Sequence, residues 1–296
     1  MSRKGEHELI VACREAGRQL AATFQPVVPF LLQAGVSMAA YTGGLAAAQA
    51  AGMALRVSCA TPIAGPIGGL LGVGLASAAS GQASIKCRQY LQDKQNPLLQ
   101  PWKGVRAEDL LVDAVLGIAM FKVMGGRFRS VMPSDLSKVG AIARESLPAT
   151  HAEYATDASR VELARYFRRD GCHHCGTRRG KVIGDHMPPN KYVKQYIATA
   201  KRSLLSNPYM RQMASALNIQ TGTPRQRYYP QCTSCMQKQS SAIRNDKKVL
   251  VFHQVLHHGG RSQSWHYAGA LLGMRHYSST SSSGSSSAKD SNGRRR

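Results

Sequence analysis

Two Cys-x-x-Cys pairs, Cys172/Cys175 and Cys232/Cys235, bracket an Asp185-His186 pair. Each pair offers two thiolates from one tight turn, and two such knuckles complete the tetrahedral sulfur shell that structural zinc prefers. With four cysteines closing the metal core, Asp185 and His186 are left for other chemistry. An imidazole titrates near neutrality and can serve as a general base. A carboxylate beside it can help hold a cation that offsets charge on a leaving oxygen. Lys191, Lys194, Arg225 and Arg227 lie in the same segment and suit a phosphate backbone. The plainer alternative for Asp185-His186 is a hydrogen-bonded pair that pins a strand end.

The charge balance points the same way. Lys and Arg outnumber Asp and Glu by 39 to 16 in 296 residues, a net charge of +23. The resulting field attracts polyanions, either nucleic acid or anionic lipid. Aromatic residues make up only 6 % of the chain, which argues against a long base-stacking platform. Seven cysteines at scattered spacing do not form a secreted disulfide framework. Free thiolate ligands persist in a reducing compartment, so the knuckle segment is expected in the cytosol, the nucleus or on the mitochondrial matrix side of a membrane.

The elements that must carry these groups begin with an apolar N-terminal half. No Asp, Glu, Lys or Arg occurs from Gln19 to Leu55, nor from Val57 to Ile85. Each run is long enough to span a bilayer. Gly68, Gly69 and Gly72 supply the small-residue spacing that lets helices approach closely in lipid. Residues 26–85 are therefore expected to form a transmembrane helical hairpin turning near Arg56. Flanking charges at Arg14, Arg18, Lys86 and Arg88 place both ends on one side, the side that holds the zinc domain. The alternative is a soluble Ala/Gly-rich helical pair buried all round.

Residues 1–25 read as an N-terminal amphipathic segment, with Leu9, Cys13, Ala16 and Leu20 at helical spacing. Their mixture of acids and bases is unlike a mitochondrial transit peptide. Residues 86–150 read as a connector with a helix over 107–124. Glu108 and Asp109 stand in its first turn and Lys122 in its last, as the helix dipole favours. Asp113 counts against a further crossing, so this helix is expected against the hairpin or on the bilayer surface.

In the segment 151–277, Ser159-x-x-Glu162 reads as a capping box opening a short helix. Lys181–Gly184 reads as a strand ending in Asp185-His186, 191–218 as helical or mixed, 225–229 as a second strand, and Cys235 onward as a helix. His253 and His257 are four apart and suggest a second metal site or simply surface histidines. Residues 278–296 form a Ser/Gly/Arg tail of disordered composition.

The order knuckle, strand, loop, strand, knuckle, helix, with Gly184-Asp185-His186-Met187-Pro188-Pro189 between the cysteine pairs, resembles the zinc-stapled HNH endonucleases of the ββα-metal, treble-clef type. The resemblance covers about residues 165–245. In that family the His activates water against a phosphodiester and the Asp helps hold a divalent cation. An Asn or His on the closing helix completes the site. Carried over, His186 is the general base, Asp185 a ligand for Mg²⁺ or Mn²⁺, and Cys172, Cys175, Cys232 and Cys235 hold structural Zn²⁺. Where the family has Asn or His after the last Cys, this chain has Met236, Gln237 and Lys238. Gln239, Asn190 and Asn207 are the available substitutes. The expectation is an α+β protein: a membrane-inserted hairpin plus a zinc-bound ββα treble-clef-like domain that binds nucleic acid and, if the site is live, hydrolyses it. The alternative is a non-catalytic membrane protein whose zinc domain is an interaction module.

Overall fold

A computed structural model describes residues 14–15, 27–93, 105–149, 155–205, 207–216, 225–253 and 263–277. Most of the amphipathic segment 1–25, connector residues 94–104, His257 and the tail 278–296 lie outside the described residues. Among the described residues the chain is rich in helix, with few strands. It divides into two compact units, each discontinuous in sequence. One comprises Met1–Gly44, Val73–Gly125 and Ser264–Arg296, and the other Leu45–Gly72 and Gly126–Gln263.

Two helices, α1 (Val28–Ala54) and α2 (Ala64–Asp93), occupy the uncharged runs. Both are long and apolar enough to cross a membrane. The turn between them is tight, with Arg56 and Ile63 at φ of 54° and 60°.

In the first unit α1 and α2 are joined by α3 (Ala107–Val123) and α8 (Ala268–Tyr277). Small residues set the spacing. A Cβ on Gly44 would meet Ala76 at 2.8 Å, and one on Gly273 would meet Ser37 at 2.8 Å. Close approach brings hydroxyls and amides together inside. Gln33 Nε2 donates to Ser84 Oγ at 2.7 Å, Ser37 Oγ donates to the Gly269 carbonyl at 2.6 Å, and Ser84 Oγ donates to that of Gly273 at 3.0 Å. Such bonds satisfy polar groups that would otherwise be costly to bury.

The second unit is built on two small antiparallel sheets. Strand β1 (Ser134–Asp135) pairs with β5 (Leu250–Val251). A three-stranded sheet has the order β2 (Leu147–Pro148), β4 (Arg227–Cys232), β3 (Val182–Met187). Helices α4 (Asp157–Asp170), α5 (Asn190–Leu205), α6 (Pro208–Ala216) and α7 (Thr233–Arg244) complete it. Its core gathers Leu136, Phe167 and Val251 around the four cysteines.

Two local expectations shift. Helix α4 is capped by Thr156 rather than Ser159, because the Thr156 hydroxyl accepts the Ser159 N–H at 3.2 Å. Strand β4 starts at Arg227 and runs to Cys232 through Pro230, which lies opposite Gly184. Pro230 has no N–H to give, but its carbonyl accepts the His173 N–H at 2.9 Å. Within this unit the hairpin turn packs on the segment leading to the knuckles. The Cys59 N–H donates to the Pro133 carbonyl at 2.9 Å, Gln49 Nε2 to that of Val131 at 3.0 Å, and Lys248 Nζ to that of Arg56 at 2.7 Å. Loop charges speak for the hairpin ends and say nothing of what its turn touches.

Candidate metal centre

The first knuckle begins where α4 stops. Gly171 adopts φ +84°, and a Cβ there would collide with the Gly176 carbonyl, so only glycine fits. Two backbone bonds of 2.8 Å, Cys172 N–H to the Thr177 carbonyl and Gly176 N–H to that of Cys172, then close the turn. The second knuckle straddles the end of β4 and the start of α7. Cys232 is the N-cap, its Sγ accepting the Cys235 N–H at 3.4 Å.

Cys172, Cys175, Cys232 and Cys235 are all buried, with their sulfurs within 4.8 Å of one another. Between the two knuckles, Cys175 Sγ and Cys232 Sγ are 3.7 Å apart. Tetrahedral bonds of about 2.3 Å to one ion require sulfur separations of that size. Left to themselves, four packed sulfurs must share protons. Hydrogen bonds from Cys172 above all pull Cys175 and Cys232 down from the ordinary thiol range, while burial lifts Cys172 and its sulfur neighbours lift Cys235. A bound dication removes that conflict by letting every thiol ionise. The four cysteines can hold a metal such as zinc.

Asp185 and His186 are neighbours in β3 and so project from opposite faces of the sheet. Asp185 points inward and is 8 % exposed. It accepts His173 Nε2 at 3.1 Å and Gln239 Nε2 at 3.0 Å. His173 Nδ1 accepts the Gly140 N–H at 3.1 Å, so the Nε2 of a neutral ring carries the proton it gives to Asp185. Gln239 is held the same way round twice more. Its Nε2 donates to the Leu136 carbonyl at 2.8 Å and its Oε1 accepts from Gln231 at 3.2 Å. Burial would raise the Asp185 carboxyl pKa, but hydrogen bonds and charge from His173 and His174 outweigh it and hold the group below its usual range.

His174 completes the group. Its Nδ1 lies 2.9 Å from Ser134 Oγ and its Nε2 lies 3.9 Å from the Asp185 carboxylate. Burial first, then the neighbouring His173, push its pKa down to about 4. One donor atom from each of His173, His174 and Asp185 falls within 4.8 Å of the others, a spacing that also suits an ion. The Gly140 bond weighs against that use, because it leaves the His173 Nε2 protonated rather than free to ligate. His186, on the other face, sits edge-on to the Tyr228 ring at 4.5 Å.

The structure therefore gathers Asp185 with His173, His174 and Gln239, and sends His186 elsewhere. Gln239 is one of the three substitutes the sequence offered; Asn190 instead accepts from Gln226 at 2.7 Å. His173 and His174 are not among the sequence candidates, and their place between two knuckle cysteines is the signal that marks them. His253, the described half of the expected histidine pair, bonds to the Gln49 side chain and the Met132 carbonyl.

Of the expected phosphate-binding cations, Lys194 and Arg225 are exposed. Lys191 Nζ donates to the Ile243 carbonyl at 2.8 Å and to Asp246 at 2.7 Å, tying down the end of α7. Arg227 is exposed but donates to the Ser146 hydroxyl and carbonyl. Arg179 and Lys238, not singled out from sequence, line a recess of about 690 Å³ beside Cys175, Cys232 and Cys235. No protein-family model matches the chain, and no curated protein or solved structure matches it at a significant level.

Proposed function

We propose that this is a membrane-anchored zinc protein whose treble-clef-like knuckle domain binds nucleic acid through its phosphates without hydrolysing them. The observation that carries the reading is the separation of Asp185 from His186. A hydrolytic pair would act on one phosphodiester from one side, whereas Asp185 is turned inward and bonded to His173 and Gln239. Zn²⁺ is the ion best suited to four thiolates at this spacing, and its role is to staple the two knuckles. No step of hydrolysis is assigned to Mg²⁺ or Mn²⁺.

The anchor is the pair α1 and α2. Support for a nucleic-acid partner comes from the net charge of +23, from exposed Lys194 and Arg225, and from Arg179 and Lys238 beside the cysteines. Phosphate contacts of this kind give sequence-independent affinity that falls steeply with salt. The interaction-module reading draws on a different observation: Lys191 and Arg227 are engaged within the chain.

The test uses the full chain in nanodiscs, with zinc content measured, and labelled DNA and RNA oligonucleotides titrated across a salt series. Expected are one zinc per chain, salt-dependent binding, and intact oligonucleotide after incubation with Mg²⁺ or Mn²⁺. Cleavage abolished by His186→Ala would restore the nuclease. Absence of binding at low salt would remove nucleic acid and leave the interaction module.

A further inference from the structure

The first unit buries polar groups beside Tyr41, Val73, Phe121 and Leu272, and exposes large apolar ones. Gln33, Ser37, Ser77, Ser80, Ser84 and Asp113 are buried, while Leu31, Val36, Leu75, Leu111, Val115 and Val123 are exposed. Large apolar side chains seek burial in water, and contiguous exposed ones mark a surface made for another medium. Helix α3 shares this pattern although its composition looks unfit for lipid. Leu111 is 68 % and Val115 59 % exposed, whereas Asp113 is fully buried.

Asp113 is also neutralised where it lies. Arg275 donates to its carboxylate, and His276 Nε2 lies 2.9 Å from it. Gly81 of α2 makes room for that carboxylate, since a Cβ there would collide with it. Ionisable residues within membranes behave this way: they face the bundle interior and pair with one another. The remaining charges of α3 stand near its ends, Glu108 and Asp109 in the first turn and Lys122 in the last.

The direction of α3 follows from its neighbours. Gly81 meets Asp113, while four residues earlier in α2 Ser77 meets Gly117. Against α8, Asp113 meets His276 and Gly117 meets Leu272, and Phe121 packs on Trp265, in the 3-10 turn Ser264–Tyr267 that leads into α8, at 5.2 Å between ring centroids. So α3 runs antiparallel to both. Its 17 residues make about 26 Å of helix, within reach of a hydrocarbon core about 30 Å thick.

We propose that Ala107–Val123 is a third membrane crossing, with Leu111 and Val115 facing acyl chains and Asp113 sealed inside by Arg275 and His276. This rests on α1 and α2 being membrane helices. It places the knuckle domain on the side of the hairpin turn, across the membrane from the chain's N-terminal segment. The sequence expectation had both on one side.

Glycosylation mapping of the full chain, translated with sealed microsomes, decides it. The chain contains no Asn-x-Ser/Thr acceptor of its own. One variant carries an acceptor fused ahead of Met1. A second, Lys247→Thr, converts the exposed Asn245-Asp246 stretch into an acceptor. Expected is a glycan on one variant and none on the other, with both proteins resistant to alkaline carbonate. Glycans on both, or on neither, in carbonate-resistant protein would overturn the third crossing and leave the two-helix anchor standing. Release by carbonate would overturn the membrane reading itself. Should Lys247→Thr disturb the knuckles, protease protection of the unaltered domain, scored against an N-terminal epitope, gives the same answer. Leu111→Arg combined with Val115→Arg should reverse the sidedness of the knuckle domain, because cations at mid-helix are strongly disfavoured in hydrocarbon. Unchanged sidedness in that variant would overturn the proposal.

Discussion

The two units bury different things. The first closes over serines, Gln33 and one paired aspartate beside Tyr41, Val73, Phe121 and Leu272, and turns Leu31, Val36, Leu75, Leu111 and Val115 outward. The second closes over sulfur, with Leu136, Phe167 and Val251 around four cysteines and a carboxylate held by an imidazole and an amide. In the proposed reading an apolar surrounding stabilises the exterior of the first unit. In the same reading an ion stabilises the interior of the second. Removing either external component should damage one unit and spare the other.

The largest effect belongs to the metal. Cys232→Ser, or strong chelation, should unfold the knuckle domain, because zinc binding in such sites contributes on the order of 10 kcal/mol to folding. Protease sensitivity of 126–263 should rise sharply while carbonate resistance stays. A knuckle domain that remains protected in chelator would break the comparison at its base.

Next comes the buried charge of the first unit. Asp113→Leu takes a buried acceptor from His276 and from Arg275, which keeps Asp109, and removing one partner of a buried ion pair costs about 3–5 kcal/mol. Thermal unfolding in detergent should show that loss, with zinc content unchanged. A smaller effect is expected in the second unit from Asp185→Asn, which deprives the His173 Nε2–H and Gln239 of a charged acceptor. About 1–3 kcal/mol is expected, read in denaturant unfolding, with nucleic-acid affinity preserved. The smallest concerns His186→Ala, which removes an edge-on contact with Tyr228 worth about 0.5–1.5 kcal/mol. Oligonucleotide binding should stay at the wild-type level, and a large loss would bring His186 back into the site.

Local features were readable from the chain alone. Cys-x-x-Cys spacing is a property of one turn, and uncharged runs are a property of composition, so knuckles and apolar helices could be located without a fold. Asp113 shows the limit of composition. Counted along the sequence it is an obstacle to a crossing; in the structure it is buried against residues more than 160 positions away. Asp185 shows the limit of motif reading. Adjacency suggested a working pair with His186, yet the alternation of a strand separates adjacent side chains by construction. Its real partners, His173 and Gln239, lie 12 and 54 positions off and no period connects them. Thr156 illustrates a nearer miss: two hydroxyls three residues apart both fit a cap, and only backbone geometry chooses between them.

The inward-facing carboxylate also acts on the alignment of the sheet. Asp185 lies opposite Tyr229 and His186 opposite Tyr228 across β3 and β4. A slip of β3 by one residue exchanges the faces of its side chains. His186 would then enter the space beside His173 and His174, and Asp185 would leave it. Three imidazoles would crowd one pocket while the proton on His173 and the amide of Gln239 lost their acceptor. Most sheets resist misalignment through the fit of apolar side chains. In this short sheet part of the penalty would be electrostatic, so the carboxylate adds to buried Met187 and to the close approach at Gly184 in fixing the strand pairing that brings the cysteines together.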